Sequence, residues 1–172
     1  ILIPFKGLKL KSSEVYYWRV RIWNDEDKVS TWSQINTFAT GLLVNSDWGN
    51  AQWISMEKDE GRVKGIHYQE EAALPTQKVG MYKLPQFRKQ FRVKDKKISR
   101  AFAYVSGLGH FDFFLNGGKV GNHFLDAGWT LYDKEAFYVS FDITDLLQRG
   151  ENVLGIMLGN GFYNVPQERY FK

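Results

Sequence analysis

Two carboxylates three residues apart, Asp142 and Asp145, stand ahead of a glycine-rich Leu-Gly-Asn-Gly at 158 to 161, in the stretch DITDLLQRGENVLGIMLGNGF. Acid pairs serve general acid–base hydrolysis, and Gly-rich loops after strands cradle phosphates. Neither chemistry fits the spacing. A glycosidase sets its carboxyls across a cleft, roughly 5 to 9.5 Å apart, and two acids on one short turn do not flank a sugar. A strand-end Asp with a second acid three residues on has the form of a helix cap, because both favour the positive helix end. Thr144, Leu146 and Leu147 complete one turn, and Arg149-Gly150 stops it. A phosphate loop needs a long helix after it, whereas Phe162-Tyr163-Asn164-Val165-Pro166 follows here. Both motifs read as scaffolding, with a ligand loop at the strand's end as the option left open. His67, His110 and His123 are isolated, and a neutral packed or surface imidazole is expected of each.

The elements that must hold these residues are strands. The chain has 172 residues, enough for one domain or one plus part of another, and its 16% aromatic content favours β structure. Its net charge of +4 is dispersed, and the densest basic run, KDKK at 94 to 97, contains an acid and reads as a solvated turn. Nucleic acid is therefore not an expected partner. No apolar run is long enough to span a bilayer, so no membrane is expected either. With no cysteine, disulfides and thiolate metal sites are excluded. The opening ILIPFKG has neither an initiating Met nor the form of a signal peptide, as in a piece of a longer protein.

From 16 to 23, Tyr16, Trp18, Val20 and Ile22 alternate with Tyr17, Arg19, Arg21 and Trp23, which predicts a strand with the first set on a buried face. The acidic cluster at 24 to 27 predicts a hairpin turn, and 35 to 40 the return strand. Leu10, six residues before Tyr16, gives this segment a resemblance to the tyrosine corner of a fibronectin type III domain. The resemblance covers only the last strands of such a sandwich, at 1 to 42. Half a sandwich cannot bury its own inner face, so missing strands upstream or a neighbouring domain must cover it. A linker at 43 to 54 follows, whose Trp48 and Trp53 are expected to pack in a seam. The segment from 55 to 85 is polar and unpatterned, as in a functional loop or an insertion.

From Gln86 onward strand patterns resume: QFRKQFRV, FAYVS, FDFFL, EAFYVSFDI and NVLGIMLGN. Asn116-Gly117 is the strongest hairpin signal, since both turn positions take positive φ, and 120 to 125 is the expected partner strand. Short strands separated by turns predict an all-β fold, an antiparallel β-sandwich or jelly roll over 55 to 172.

The order of these pieces resembles bacterial α-L-rhamnosidases of glycoside hydrolase family 78, at their N-terminal β-sandwich. The elements that carry it are the hairpin at 107 to 117, D-A-G-W-T at 126 to 130, D-I-T-D-L-L at 142 to 147, G-E-N at 150 to 152 and L-G-N-G-F-Y at 158 to 163. The Trp48 to Ile54 linker and the fibronectin-like strands fit the same modular order. The resemblance implies a galactose-binding-like jelly roll, truncated at its C-terminus, and a parent enzyme that removes terminal α-L-rhamnose from plant or bacterial glycans with a downstream α/α barrel. It implies no catalytic residue in this chain, which should itself be inactive. It favours a periplasmic or secreted location and leaves the cytoplasm open. Some members of the family use the sandwich for calcium-dependent rhamnose binding, through an acid-amide pair near the position of Ser106-Gly107. This sequence has neither residue type there, so no cofactor is expected.

The expected partners are an L-rhamnose-containing glycan and the catalytic domain of the same chain. Trp129 is the stacking candidate, Asp126 and Asn160 the hydrogen-bonding candidates, with Phe162 or Tyr163 beside them. Each also has a plain structural role open to it, in a corner, a cap or a tight turn. A second reading is the sugar-binding jelly roll of a β-galactosidase or β-glucuronidase type. A third is an adhesion module with no enzyme attached.

Overall fold

The structure is a computed structural model describing residues 6–55, 84–94, 97–159 and 161. Among these residues it is all-β, with antiparallel sheets, single 3-10 turns and no α-helix. The chain divides into two compact units, residues 1–53 and 54–172.

In the first unit β1 (Val15–Trp18) pairs with β2 (Asn36–Ala39), placing Tyr16 opposite Phe38. Their rings stack 5.6 Å apart. The tyrosine corner is present: the Tyr16 hydroxyl accepts the Lys11 N–H at 2.8 Å. Buried Thr40 fastens the same corner, accepting the Glu14 N–H at 3.0 Å and donating to the Lys11 carbonyl at 2.5 Å. Past Trp18 the hairpin arms are joined partly by side chains. Ser33 donates its N–H to Val20 O at 2.8 Å, and its Oγ accepts the Val20 N–H at 3.0 Å. Ser30 does the same for Ile22. The acidic turn forms as expected, with Asn24 Oδ1 accepting the Glu26 and Lys28 N–H groups.

The buried face expected from the alternation is not buried. Tyr16 is half-buried, but Trp18 is 45%, Val20 51% and Ile22 69% exposed. The alternation holds, yet each described strand here has one neighbour, and a two-stranded ribbon has nothing to lay over its apolar face. In the segment after β2, a 3-10 turn (Asn45–Trp48) is held by Asp47, whose carboxylate accepts the Ser12 hydroxyl and the Leu43 and Val44 N–H groups. Trp48 is half-buried and Trp53 exposed.

In the second unit β3 (Gln86–Val93), β8 (Gly150–Leu158), β5 (Phe111–Leu115) and β6 (Gly118–Lys119) form one sheet in the order β3-β8-β5-β6. A second sheet pairs β4 (Phe102–Ser106) with β7 (Tyr138–Asp142). Alternation decides the core. Phe111, Phe113 and Leu115 point inward from β5 and meet Val105 of β4 and Phe141 of β7, with Phe113 and Phe141 centred 5.3 Å apart. Val120, Ala127 and Ile143 complete the cluster.

The partner strand after Asn116-Gly117 is Gly118–Lys119, not 120 to 125. The turn itself is as expected, with φ of 51° and 85°. Val120 still donates to Phe113 O at 2.8 Å, but Gly121 then takes φ of 76° and turns the chain out of the ladder. The loop returns only at Asp126, whose carbonyl accepts the Phe111 N–H at 2.7 Å.

Candidate functional site

Asp142, at the end of β7, is a fastener. Asp142 Oδ1 accepts both the Thr144 N–H at 3.0 Å and the Thr144 hydroxyl at 2.6 Å. Thr144 Oγ1 in turn accepts the Ala101 N–H at 3.0 Å, and the Ile143 N–H donates to Ala101 O at 3.0 Å. One 3-10 turn (Thr144–Leu146) follows, as the sequence leads one to expect. The carboxylate therefore closes an Asx turn and ties the end of β7 to the residue before β4.

The hydroxyl and then the N–H of Thr144 hold the Asp142 carboxyl below the usual carboxylate range, aided by Arg100. A lowered folded pKa stabilises the fold above the ordinary carboxylate pKa, and that contribution is lost as pH falls through the lowered value. Asp142→Asn should therefore be less stable than wild type at neutral pH, with the gap closing in acid. Urea midpoints at pH 7 and pH 3 check this; a gap that stays constant with pH contradicts the assignment.

The glycine-rich segment is a backbone seam. The Gly159 N–H donates to His110 O at 2.6 Å, so it is spent inside the fold rather than aimed at an anion. A Cβ on Gly109 would collide with the Gly159 carbonyl, and one on Gly161 would come within 2.8 Å of Gly109 Cα. These glycines let two chain segments touch.

The loop from 121 to 137 carries the sugar-binding candidates. Asp126 is half-buried, and its Oδ2 accepts the His123 Nδ1–H at 3.0 Å. The His123 ring lies 5.5 Å from Phe141. His110 sits nearby in sequence to β5, and its Nδ1–H donates to Leu125 O at 3.1 Å. Both histidines, expected to stand alone, thus brace this loop. The spacing His-x-x-Asp at 123 to 126 was the available signal for the first. Trp129 follows Gly128 and precedes buried Thr130, and the residue is 53% exposed. The Thr130 hydroxyl donates to Glu135 O at 2.6 Å, closing the turn behind Trp129. Asn160, Phe162, Tyr163 and His67 lie outside the described residues, as does nearly all of the 55 to 85 segment.

The calcium site that the family resemblance raises at Ser106-Gly107 finds no carboxylate or amide side chain there. The Ser106 hydroxyl donates to Phe137 O at 2.9 Å, and Gly107 has no ligating side chain. Among the described residues no three acids or histidines gather as a metal site.

The geometry defines a class: a modular, two-unit, all-β chain in which Asp142, the Asn116-Gly117 turn and the glycines at 109, 159 and 161 are structural fasteners. Residues 96–171 match the α-L-rhamnosidase N-terminal domain, and residues 1–44 match the Rha78A-like N-terminal immunoglobulin domain. An α-L-rhamnosidase of Formosa agariphila is 41% identical over 165 residues, 94% of this chain but 17% of that protein. The structure of α-L-rhamnosidase from Dictyoglumus thermophilum matches 94% of this chain and 18% of its own, at 30% identity and a TM-score of 0.72. That of Aspergillus terreus matches 95% and 17%, at 29% identity and a TM-score of 0.74. The chain belongs to the N-terminal region of the α-L-rhamnosidases, and it spans about a sixth of the relatives it matches.

Proposed function

We propose that this chain is a non-catalytic accessory region of an enzyme that removes terminal α-L-rhamnose from glycans. In this reading residues 1 to 42 end an immunoglobulin-like sandwich, 43 to 54 link, and 55 to 172 form a jelly roll of the galactose-binding kind. The jelly roll binds carbohydrate, braces a downstream α/α-barrel catalytic domain, or does both. The observation that carries the binding role is half-exposed Trp129, raised on a loop that Asp126, His123 and His110 hold in place. Aromatic faces stack on the apolar side of a pyranose, and a few placed polar groups orient it. His123 occupies only Oδ2 of Asp126, which leaves Oδ1 to accept a sugar hydroxyl.

L-Rhamnose should then bind this chain with a Kd in the millimolar range, about −4 kcal/mol or weaker. Trp129→Ala should abolish that binding with the fold unchanged by circular dichroism. NMR titration of the two proteins checks it. No shift near Trp129 at sugar concentrations on the order of tens of millimolar leaves the bracing role alone.

A further inference from the structure

The first unit carries a ladder of alternating cations and rings that its fold does not use up. The Arg19 guanidinium lies 4.4 Å from the centre of the Trp32 ring, and that of Arg21 lies 4.6 Å from the same ring. Arg21 is also 4.8 Å from the centre of Trp23. The hairpin arms build this stack: Ser30 and Ser33 bind the backbone of Ile22 and Val20, which holds Trp32 between them in sequence against the strand. Arg19, Arg21 and Trp23 occupy the alternate positions to Trp18, Val20 and Ile22. The ladder thus lies on the opposite face from the apolar one, and strands added over the apolar face leave it open. All four side chains are exposed.

Stacking engages the flat faces of a guanidinium and none of its in-plane N–H donors. Among the described residues neither Arg19 nor Arg21 has a carboxylate partner; the nearby acidic turn spends Glu26 on Lys28, at 2.6 Å. The two guanidinium groups are therefore held against one indole, with no carboxylate of the described chain occupying their N–H donors. A fork of this kind matches a carboxylate bidentately.

We propose that this ladder binds a carboxylate-bearing, uronic acid-containing oligosaccharide, with Arg19 and Arg21 each taking one carboxylate and the rims of Trp23 and Trp32 contacting sugar rings. The choice of a glycan rests on the proposed role in a glycan-cleaving enzyme; the choice of an acidic one rests on the forks. The acidic turn lies past Trp23, so the ligand enters from the Arg19 end.

The test is calorimetric titration of the whole chain with an oligogalacturonate, its neutral methyl ester and a polyglutamate of equal charge. Arginine side-chain NMR shifts report the site. The acid sugar should bind saturably, with salt-sensitive affinity and shifts at both arginines. Binding should weaken roughly tenfold or more for the ester and for Arg19→Lys/Arg21→Lys, which keeps the charge but loses the fork. Arg19→Lys alone should fall between, and serves if the double variant unfolds. Equal affinity for acid and ester, equal affinity for polyglutamate, unchanged binding in the variants, or no binding at all overturns the proposal. Rhamnose binding at Trp129 is a separate titration, so failure of either reading is visible without the other.

Discussion

Asn152→Ala should cost the second unit about 3 kcal/mol, a large share of the 5 to 15 kcal/mol roughly typical of a domain. The side chain is 1% exposed, yet it is polar and stands on β8 within the larger sheet. Its amide is fully used. Oδ1 accepts from Asn116 Nδ2 at 2.9 Å and from the Gln148 N–H at 2.9 Å. Nδ2 donates to Gln148 O at 2.7 Å and to Gly150 O at 3.1 Å. Asn116 extends the network, donating to Leu146 O at 3.1 Å and accepting the Val153 N–H at 2.9 Å. One amide thus joins the tip of the β5–β6 hairpin to the turn that precedes β8. Removing it strands several backbone groups, some within reach of water, which keeps the cost below the sum of the bonds. Asn152→Leu separates polarity from volume. A loss through the cavity alone would be repaired by leucine, whereas a loss through unsatisfied partners would not. Urea unfolding should place Asn152→Leu beside Asn152→Ala; recovery to wild-type stability in the leucine variant would refute the network account.

The same residue shows where the sequence is and is not legible. In G-E-N the asparagine reads only as the start of a strand, because strand alternation is a rule about apolar residues and carries no signal for a buried amide. Its partners are separated from it by up to 36 positions in sequence. By contrast β5 is legible because Phe111, Phe113 and Leu115 face the core at period two. The Asx turn at Asp142 is legible because its partner, Thr144, lies two residues on, although the N-cap of the 3-10 turn is Ile143. Burial of the face from Tyr16 to Ile22 is not, since alternation names the face but not what covers it. The strand expected at 120 to 125 fails for a local reason: Gly121 and Leu125 both take positive φ, and only the glycine advertises it. Trp129 and Asp126 are brought onto one short loop, while the contribution of His123 depends on a side-chain bond that spacing suggests only in retrospect.

Gly109→Ala should be destabilising by about 3 kcal/mol, the upper part of the usual range for overpacking. No backbone strain is involved, since Gly109 is not among the residues of positive φ. The cost is steric, because the new methyl group would meet the Gly159 carbonyl, a backbone atom that cannot rotate away. The Gly161 site is the other side of the same seam, with its added Cβ at 2.8 Å from Gly109 Cα. A Cβ on Gly159 would meet only His110 O, at 3.3 Å. The order of damage should therefore run Gly109→Ala, then Gly161→Ala, then Gly159→Ala. Gly117 supplies the contrast, with φ of 85° and open space around its Cβ position. Alanine there should cost about 1 kcal/mol, from conformation alone. Denaturant midpoints for the four variants test the ranking. A phosphate-cradling loop would give a different pattern, with Gly159 and Gly161 tolerant in the free protein and sensitive only with ligand bound. The hydrogen bond from Gly159 to His110 decides between them: the amide that would have faced an anion holds the two segments together, and the glycines are there because nothing larger fits between them.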